Sequence, residues 1–272
     1  MNNRYFCISF FNGSLDLLKH TNDEFFVYFK GEENRDAYEL FSDSRKEWIP
    51  NSGFNLSAYL NFIIERYYNL PDTVVFCKNN IYPRHVSEET FVKLSQRNVY
   101  TPIVEPSSWD LIRFPIAAIS SVGDYLELNN SWYARKKKGR YFSNFNHFFR
   151  FIFPDSPIPT YLRFGPGANV VVPRSHILLR TKAFYENLLF FIDYEQHALE
   201  SYFIERALDA IFNSPFDENI LMAKPLDSNT LKNLELKASL QVSQFNIIRH
   251  VLSRIYFAGV FLGNKFFGVS HD

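Results

Sequence analysis

The feature that most constrains this chain is an adjacency. Leu56, Tyr59, Leu60, Ile63, Ile64 and Tyr67 recur at helical spacing, Leu70-Pro71-Asp72 stops the repeat, and Thr73-Val74-Val75-Phe76-Cys77 follows as an unbroken apolar run. A helix with one apolar face has to be laid against something, and a strand that is apolar on both sides has to be covered twice. That pairing is the unit of a buried parallel strand with its covering helix. Upstream, Arg4 to Phe10 and Glu24 to Phe29 are aromatic, β-favouring runs separated by Asn12-Gly13, a short amphipathic piece and the polar Thr21-Asn22-Asp23. The order β, α, β repeats, which predicts an α/β domain with a mostly parallel sheet flanked by helices.

Downstream, Ser87-Glu88-Glu89-Thr90 reads as a capped helix start running through Leu94, because a serine oxygen can accept from the free amides of a first turn. Pro154, Pro157 and Pro159 frame a connector, and Gly165-Pro166-Gly167-Ala168-Asn169 leads into the strand-like Val170-Val171-Val172. Helices are expected from about Thr181 to Ile192 and from roughly Glu195 to Phe212. From Leu231 to Phe257, Leu234, Leu240, Phe245, Ile248 and Leu252 lie near helical spacing, and the apolar Tyr256 to Gly263 follows beside Arg249, Arg254 and Lys265. This tail is expected to pack on the domain's own core, with a membrane surface or a partner as the alternative. The expected organisation is one domain over residues 1–214 with a C-terminal helical extension over 215–272.

Composition narrows the function classes. Aromatic residues make up 18% of the 272 positions, so the interior should be packed with rings. Twenty-nine basic and 29 acidic residues cancel, and no global field favours nucleic acid. The local exception is Arg135-Lys136-Lys137-Lys138-Gly139-Arg140 beside Tyr133, Tyr141 and Phe142, which reads either as a solvated loop or as a base- or phosphate-binding patch. Cys7 and Cys77 are isolated and show no metal-ligand spacing. No window approaches the length of apolar chain that a spanning helix needs, and the first residues lack the pattern of a secretion signal. The expectation is a cytoplasmic protein, with peripheral contact at the inner face of the membrane through the tail left open.

Three segments together resemble a bacterial and fungal family of unknown function. Asn51-x-Gly53 followed by Ser57, Tyr59-Leu60, Ile63-Ile64, Tyr67, Leu70-Pro71-Asp72 and Val75-Phe76 is similar to a run with N-x-G-R-E, a Tyr-Leu helix, L-P-D and a strand. Gly167-Ala168-Asn169 with Val172, Arg174, Phe184 and Tyr185 resembles that family's G-A-x-F-x-V-S-R and F-Y signatures. Glu200-Ser201 with Tyr202, Glu205-Arg206 and Ile211-Phe212 is similar, allowing for register, to its E-S-x-Y-x-x-E-R helix. The family in turn resembles a distant branch of the GT-A glycosyltransferases of surface-polysaccharide synthesis. The resemblance implies a GT-A-like, Rossmann-like fold and sugar transfer from a nucleotide-sugar donor to a glycan or lipid-linked glycan acceptor of capsule, lipopolysaccharide or similar material. The chain departs from the pattern at Phe54-Asn55, where the family has Arg-Glu, and at Lys78-Asn79-Asn80, where a short polar turn is usual.

The departure bears on chemistry. GT-A enzymes commonly place an acidic D-x-D turn after a strand to hold a divalent cation on the nucleotide diphosphate, and this chain has no D-x-D. Lys78, His85 or the Arg135–Arg140 run can supply positive charge instead, so Mg²⁺ or Mn²⁺ stays an open cofactor and no metal ligands are assigned. For the donor, the candidates are Asn51, Gly53, Lys78, Asn79, Asn80 and His85; for the acceptor they are Gly167, Asn169 and His197. A base for the acceptor hydroxyl comes from Glu200 or Glu205, with Glu200 preferred because it opens the family's helix beside His197. The two are five positions apart, about 140° round a helix, and cannot face one pocket squarely. Trp48, Trp109 and Trp132 are either sugar platforms or core. The rival reading is a non-catalytic glycan- or nucleotide-binding protein on the same fold.

Overall fold

The structure is a computed structural model that describes residues 3–22, 24–31, 35–105, 118–119, 125–135, 137, 139–240 and 244–267. Its strands are β1 (Arg4–Phe10), β2 (Phe25–Phe29), β3 (Lys46–Trp48), β4 (Thr73–Lys78), β5 (Thr101–Pro102), β6 (Ala118–Ile119), β7 (Tyr125–Leu128), β8 (Tyr161–Arg163) and β9 (Val170–Pro173). The α-helices are α1 (Arg35–Glu39), α2 (Leu56–Arg66), α3 (Glu88–Ser95), α4 (Phe145–Ile152), α5 (Arg174–Ile177), α6 (Lys182–Phe190), α7 (Leu199–Asn213), α8 (Ser228–Leu240) and α9 (Ile247–Phe267). Among the described residues these make an α/β fold around a mixed six-stranded sheet in the order β3-β2-β1-β4-β9-β5, with a three-stranded sheet β6-β7-β8 beside it.

The expected parallel core is present: β3, β2, β1 and β4 pair in parallel. Each strand splits its side chains between two cores. Phe6, Ile8 and Phe10 of β1 face one side with Val27, Phe29, Val75 and Cys77, under Leu17 and the α3 residue Phe91. Cys7, Phe26, Tyr28, Val74 and Phe76 face the other, under α2, α4, α6 and α7. Both cysteines are buried, free thiols. Ser87 caps α3 as its type requires, accepting from the Thr90 amide at 3.2 Å.

The structure corrects several expectations. Val170–Pro173 runs antiparallel to β4 and to β5, so the sheet is mixed: among its six described strands β9 is reversed and the others share one direction. A run of three valines is equally suited to either direction, and its neighbours in sequence do not reveal that it arrives from the small antiparallel sheet. Just after the aromatic and basic stretch the chain forms α4, a helix the sequence reading did not place, whose Phe145, Phe148, Phe149 and Ile152 form one buried face under an Asn144 cap. The second long helix starts at Leu199, not Glu195, because residues 195–196 present their carbonyls to another turn. The C-terminal periodicity divides into α8 and α9. Among the described residues, no helix is long and apolar enough to cross a membrane.

Candidate functional site

The parallel strands end on one edge of the sheet, and a cleft of about 470 Å³ opens there. Ser9, Phe11 and Asn12 enter it from the end of β1, Lys30 from the end of β2, Asn51 from beyond β3, and Lys78, Asn79 and Asn80 from the end of β4. Because β9 is antiparallel, its leading turn reaches the same edge and adds Gly167 and Ala168. The far wall is the start and middle of α7 with its approach: Gln196, His197, Ser201, Tyr202 and Glu205. In an open α/β sheet this edge, where chain connections diverge on either side of β1 and β4, is where ligands settle.

The floor is built by buried polar bonds. Lys30 is 2% exposed, and its ammonium donates to the carbonyls of Ser52 (2.8 Å) and Phe54 and to Ser57 Oγ. Burial pulls its pKa down to about 7 against the opposing pull of Asp193. The turn it holds has left-handed backbone at Gly53 (φ +59°) and Phe54 (φ +51°). A side chain at Gly53 would lie 2.6 Å from Ile192 Cδ1, so glycine is required by conformation and by space. The amides of Gly53 and Phe54 donate to the carbonyls of Glu195 (3.1 Å) and Gln196 (3.3 Å), tying the turn to the approach of α7. Asn55 Nδ2 donates to the Gly167 carbonyl at 3.1 Å and closes the ring of loops. The Phe54 ring stands edge-on to His197 and Tyr202 at the rim.

Unsatisfied polarity points into this space. Lys78 is 7% exposed, and among the described residues its ammonium has no hydrogen bond or ion pair; burial, then Arg84, lowers its pKa to about 8 while Glu205 opposes. His85 is held neutral, its pKa lowered to about 4 by burial and by the neighbouring Lys78 and Arg84. Its Nε2, together with Ser9 Oγ and Ser201 Oγ, is buried without a hydrogen-bond partner among the described residues. Polar atoms buried in this way are uncommon and cost roughly 1–3 kcal/mol each unless something meets them.

The carboxylates separate as their spacing demands. Glu205 lines the cleft and is 15% exposed; Oε1 accepts the Gly167 amide at 2.6 Å, and Oε2 accepts from Arg206 at 3.0 Å. Burial raises its pKa, against Arg206 and the Gly167 amide, which lower it. Arg206 is itself fixed by a two-pronged pair with Glu127, at 2.7 and 3.0 Å, under the Tyr133 ring. Glu200 points elsewhere. It is fully buried, with Oε1 accepting from the amides of Tyr141 (2.6 Å) and Phe142 (3.1 Å) and Oε2 from the Tyr194 hydroxyl (2.7 Å).

Of the residues singled out from sequence, the cleft gathers Asn51, Lys78, Asn79, Asn80, His85, Gly167, His197 and Glu205. Gly53, Asn169 and Glu200 lie behind or away from its surface. Asn169 is a strut: Oδ1 accepts the Lys78 amide at 3.1 Å and Nδ2 donates to Pro166 at 2.8 Å. Asn79 spends its Nδ2 on the carbonyls of Asn12 (2.6 Å) and Ser14 (2.9 Å), holding the loop after β1. Arg140 pairs with Glu235 of α8 at 2.7 Å and is not part of the lining; Lys136, Lys138 and Trp109 lie outside the described residues. Trp132 stands edge-on to Tyr133 with the Arg206 guanidinium over its ring, and Trp48 stacks on Phe29. Ser9, Lys30 and Ser201 were not foreseen. Their signal was available for the first two, as polar residues closing apolar β runs on the edge where such folds bind ligands.

The turn after β4 does not fit a divalent cation. Lys78 brings a positive charge, the Asn79 amide is already used, and among the described residues Glu205 is the single carboxylate of the lining, shared between an amide and a guanidinium. Among the described residues no three His, Cys, Asp or Glu side chains are grouped to hold a metal ion.

The cleft's lining from Lys30 to Glu205 falls within a recognisable segment of the chain. No curated protein matches the sequence. A family model described as a protein of unknown function, DUF3431, matches residues 30–227, and the chain belongs to that family.

Proposed function

We propose that the protein is a glycosyltransferase that moves a sugar from a nucleotide-sugar donor to a surface-glycan acceptor, on a Rossmann-like, GT-A-type sheet. One observation carries the reading: a single cleft at the carboxyl edge of the parallel strands brings the Lys78 ammonium and Arg84 together with the Glu205 carboxyl. The strand order β3-β2-β1-β4 supports a nucleotide site there.

In this reading the donor diphosphate lies against Lys78 and Arg84, with the neutral His85 and Ser9 Oγ as hydrogen-bonding partners. Asn51, Asn80 and the Gly167 turn face the ribose and sugar, and the Phe54, His197 and Tyr202 rim receives the acceptor. The acceptor hydroxyl gives its proton to Glu205, whose pKa, raised by burial, makes it a stronger base than an exposed carboxylate. Its oxygen forms the new bond to the anomeric carbon, the bond from that carbon to the diphosphate breaks, and the leaving group keeps the electron pair, its charge met by the two cations. Glu200 shapes the loop at residues 139–142 and stays out of the chemistry. No step is routed through a metal; Mg²⁺ or Mn²⁺ enters only as a condition to be tested. The acceptor chemistry fits work in the cytoplasm at the inner face of a membrane.

The test is thermal stabilisation by UDP-, GDP-, CMP- and dTDP-sugars, each with and without Mg²⁺ or Mn²⁺, followed by assay of nucleotide release. Stabilisation by one nucleotide class with slow release of its leaving group supports the reading. Stabilisation without release by wild-type protein, with or without glycan, identifies a non-catalytic binding protein. No shift with any donor overturns the site assignment.

A further inference from the structure

The first turns of α9 are amphipathic the wrong way round for a helix that covers its own domain. There the inward contacts are polar: His250 is fully buried with Nδ1 at 2.9 Å from Asn130 Nδ2, and Ser253 Oγ lies 3.2 Å from the Tyr161 hydroxyl. Their outward side is apolar. Ile247, Ile248, Val251, Leu252, Ile255 and Tyr256 are between 45% and 69% exposed. At about 100° per residue these six occupy one continuous half of the helix, and the exposed Arg249 and half-buried Arg254 fall just beyond its two margins. Other exposed apolar residues make no stripe of this length: Val99 and Ile220 stand singly, and Leu178–Leu179 and the α8 pair Leu236 and Leu240 are groups of two.

The charge on the helix selects what covers the stripe. Over its 21 residues α9 carries Arg249, Arg254 and Lys265 and neither Asp nor Glu. A second copy of α9 would therefore set arginine against arginine. A wide apolar stripe edged by basic side chains that reach sideways is instead what lies in the plane of an anionic bilayer surface, rings and aliphatic chains below, guanidinium groups at the phosphates. We propose that α9 docks the protein on an anionic phospholipid surface without crossing it. The inference rests on α9 alone and is independent of the reading of the cleft.

The experiment is co-sedimentation of the full chain with phosphatidylcholine vesicles, with and without phosphatidylglycerol. Binding should rise roughly tenfold or more when the anionic lipid is present and fall with salt. Because the stripe is exposed, the triple variant Ile248→Gln, Leu252→Gln, Ile255→Gln should keep the wild-type melting temperature and lose vesicle binding. Arg249→Gln should lower the anionic preference roughly fivefold. A Leu252→Trp variant supplies a second readout, since the indole's emission should shift to the blue only with anionic vesicles. Absence of vesicle binding, or equal binding by the triple variant, overturns the proposal. A concentration-dependent dimer that the triple variant dissolves, without lipid binding, assigns the stripe to a second copy and equally overturns it.

Discussion

The Gly167 amide donates to Glu205 Oε1 at 2.6 Å, so the turn that leads into β9 is fastened to the middle of α7. Gly167 adopts φ +81°, and a side chain there would lie 2.9 Å from Asn169 Nδ2. The amide that orients the carboxyl is thus supplied by a backbone shape that glycine permits, and Arg206 fixes the second oxygen. The carboxyl is held in place with its pKa raised by burial. The same two neighbours that orient the carboxyl also work against the burial that raises its proton affinity.

Replacing Glu205 therefore separates from replacing Glu200. Glu205→Gln keeps an oxygen for the Gly167 amide and is expected to cut turnover by about 10²–10³ while leaving donor binding within a few-fold. Glu200→Ala is expected to lower stability by roughly 2–4 kcal/mol, because the Tyr141 and Phe142 amides lose their acceptor inside the protein. Melting curves and steady-state rates on both variants decide the matter: a Glu200→Gln protein that folds normally and is inactive would return the base to Glu200.

If the cleft takes a nucleotide-sugar donor as proposed, Lys78 should set the pH range of its binding. Its ammonium is buried against Arg84 with a pKa lowered to about 8. Affinity for a nucleoside diphosphate should be level below that value and weaken as pH rises through it, as the proton is lost. Lys78→Gln should weaken binding roughly 10–100-fold and remove the pH dependence, with the melting temperature unchanged or higher because a buried charge has gone. Calorimetric titration with a nucleoside diphosphate between neutral and alkaline pH reads both.

Much of this architecture is legible in the chain. The helix Leu56–Arg66 and the strand after it declare themselves because one has period 3.6 and the other none, and Leu70-Pro71-Asp72 separates them. What is not legible is direction and face. Nothing local to Val170-Val171-Val172 states that it runs antiparallel, yet that reversal carries Gly167 to the cleft. The spacing of Glu200 and Glu205 shows that they diverge but not which one faces the cleft; that is fixed by the loop at residues 139–142 closing over Glu200. The tail is the sharpest case. Its periodicity shows an apolar face, and only the buried His250 shows that this face points outward.

The turn at Gly53 couples the cleft to the segment just after α6. Gly53→Ala forces a methyl group to within 2.6 Å of Ile192 Cδ1 at φ +59° and should destabilise the protein by about 1–3 kcal/mol. Ile192→Ala in the same chain relieves the collision but not the backbone strain. The double variant should be more stable than the sum of the two single losses predicts, by roughly 0.5–2 kcal/mol. Additive losses in chemical denaturation would show that the close approach is relieved elsewhere.

His85 makes stability depend on pH in a defined window. In the folded protein its pKa is about 4 against an ordinary value of 6.5, lowered first by burial and then by Lys78 and Arg84. Between those values the unfolded chain binds a proton that the folded protein refuses, so unfolding takes up protons and stability falls as pH drops from 6.5 towards 4. Above 6.5 the contribution is fully present. His85→Gln should flatten this part of the curve, by up to ~2 kcal/mol once the solvent-facing part of the ring is discounted. A nucleoside diphosphate bound beside the ring should raise its pKa and flatten the same window. Denaturation at a series of pH values, with wild type and variant compared at each, isolates His85 from the carboxylates that titrate nearby. Parallel curves would mean that the ring takes its proton as readily folded as unfolded, and that Nε2 is reached by water.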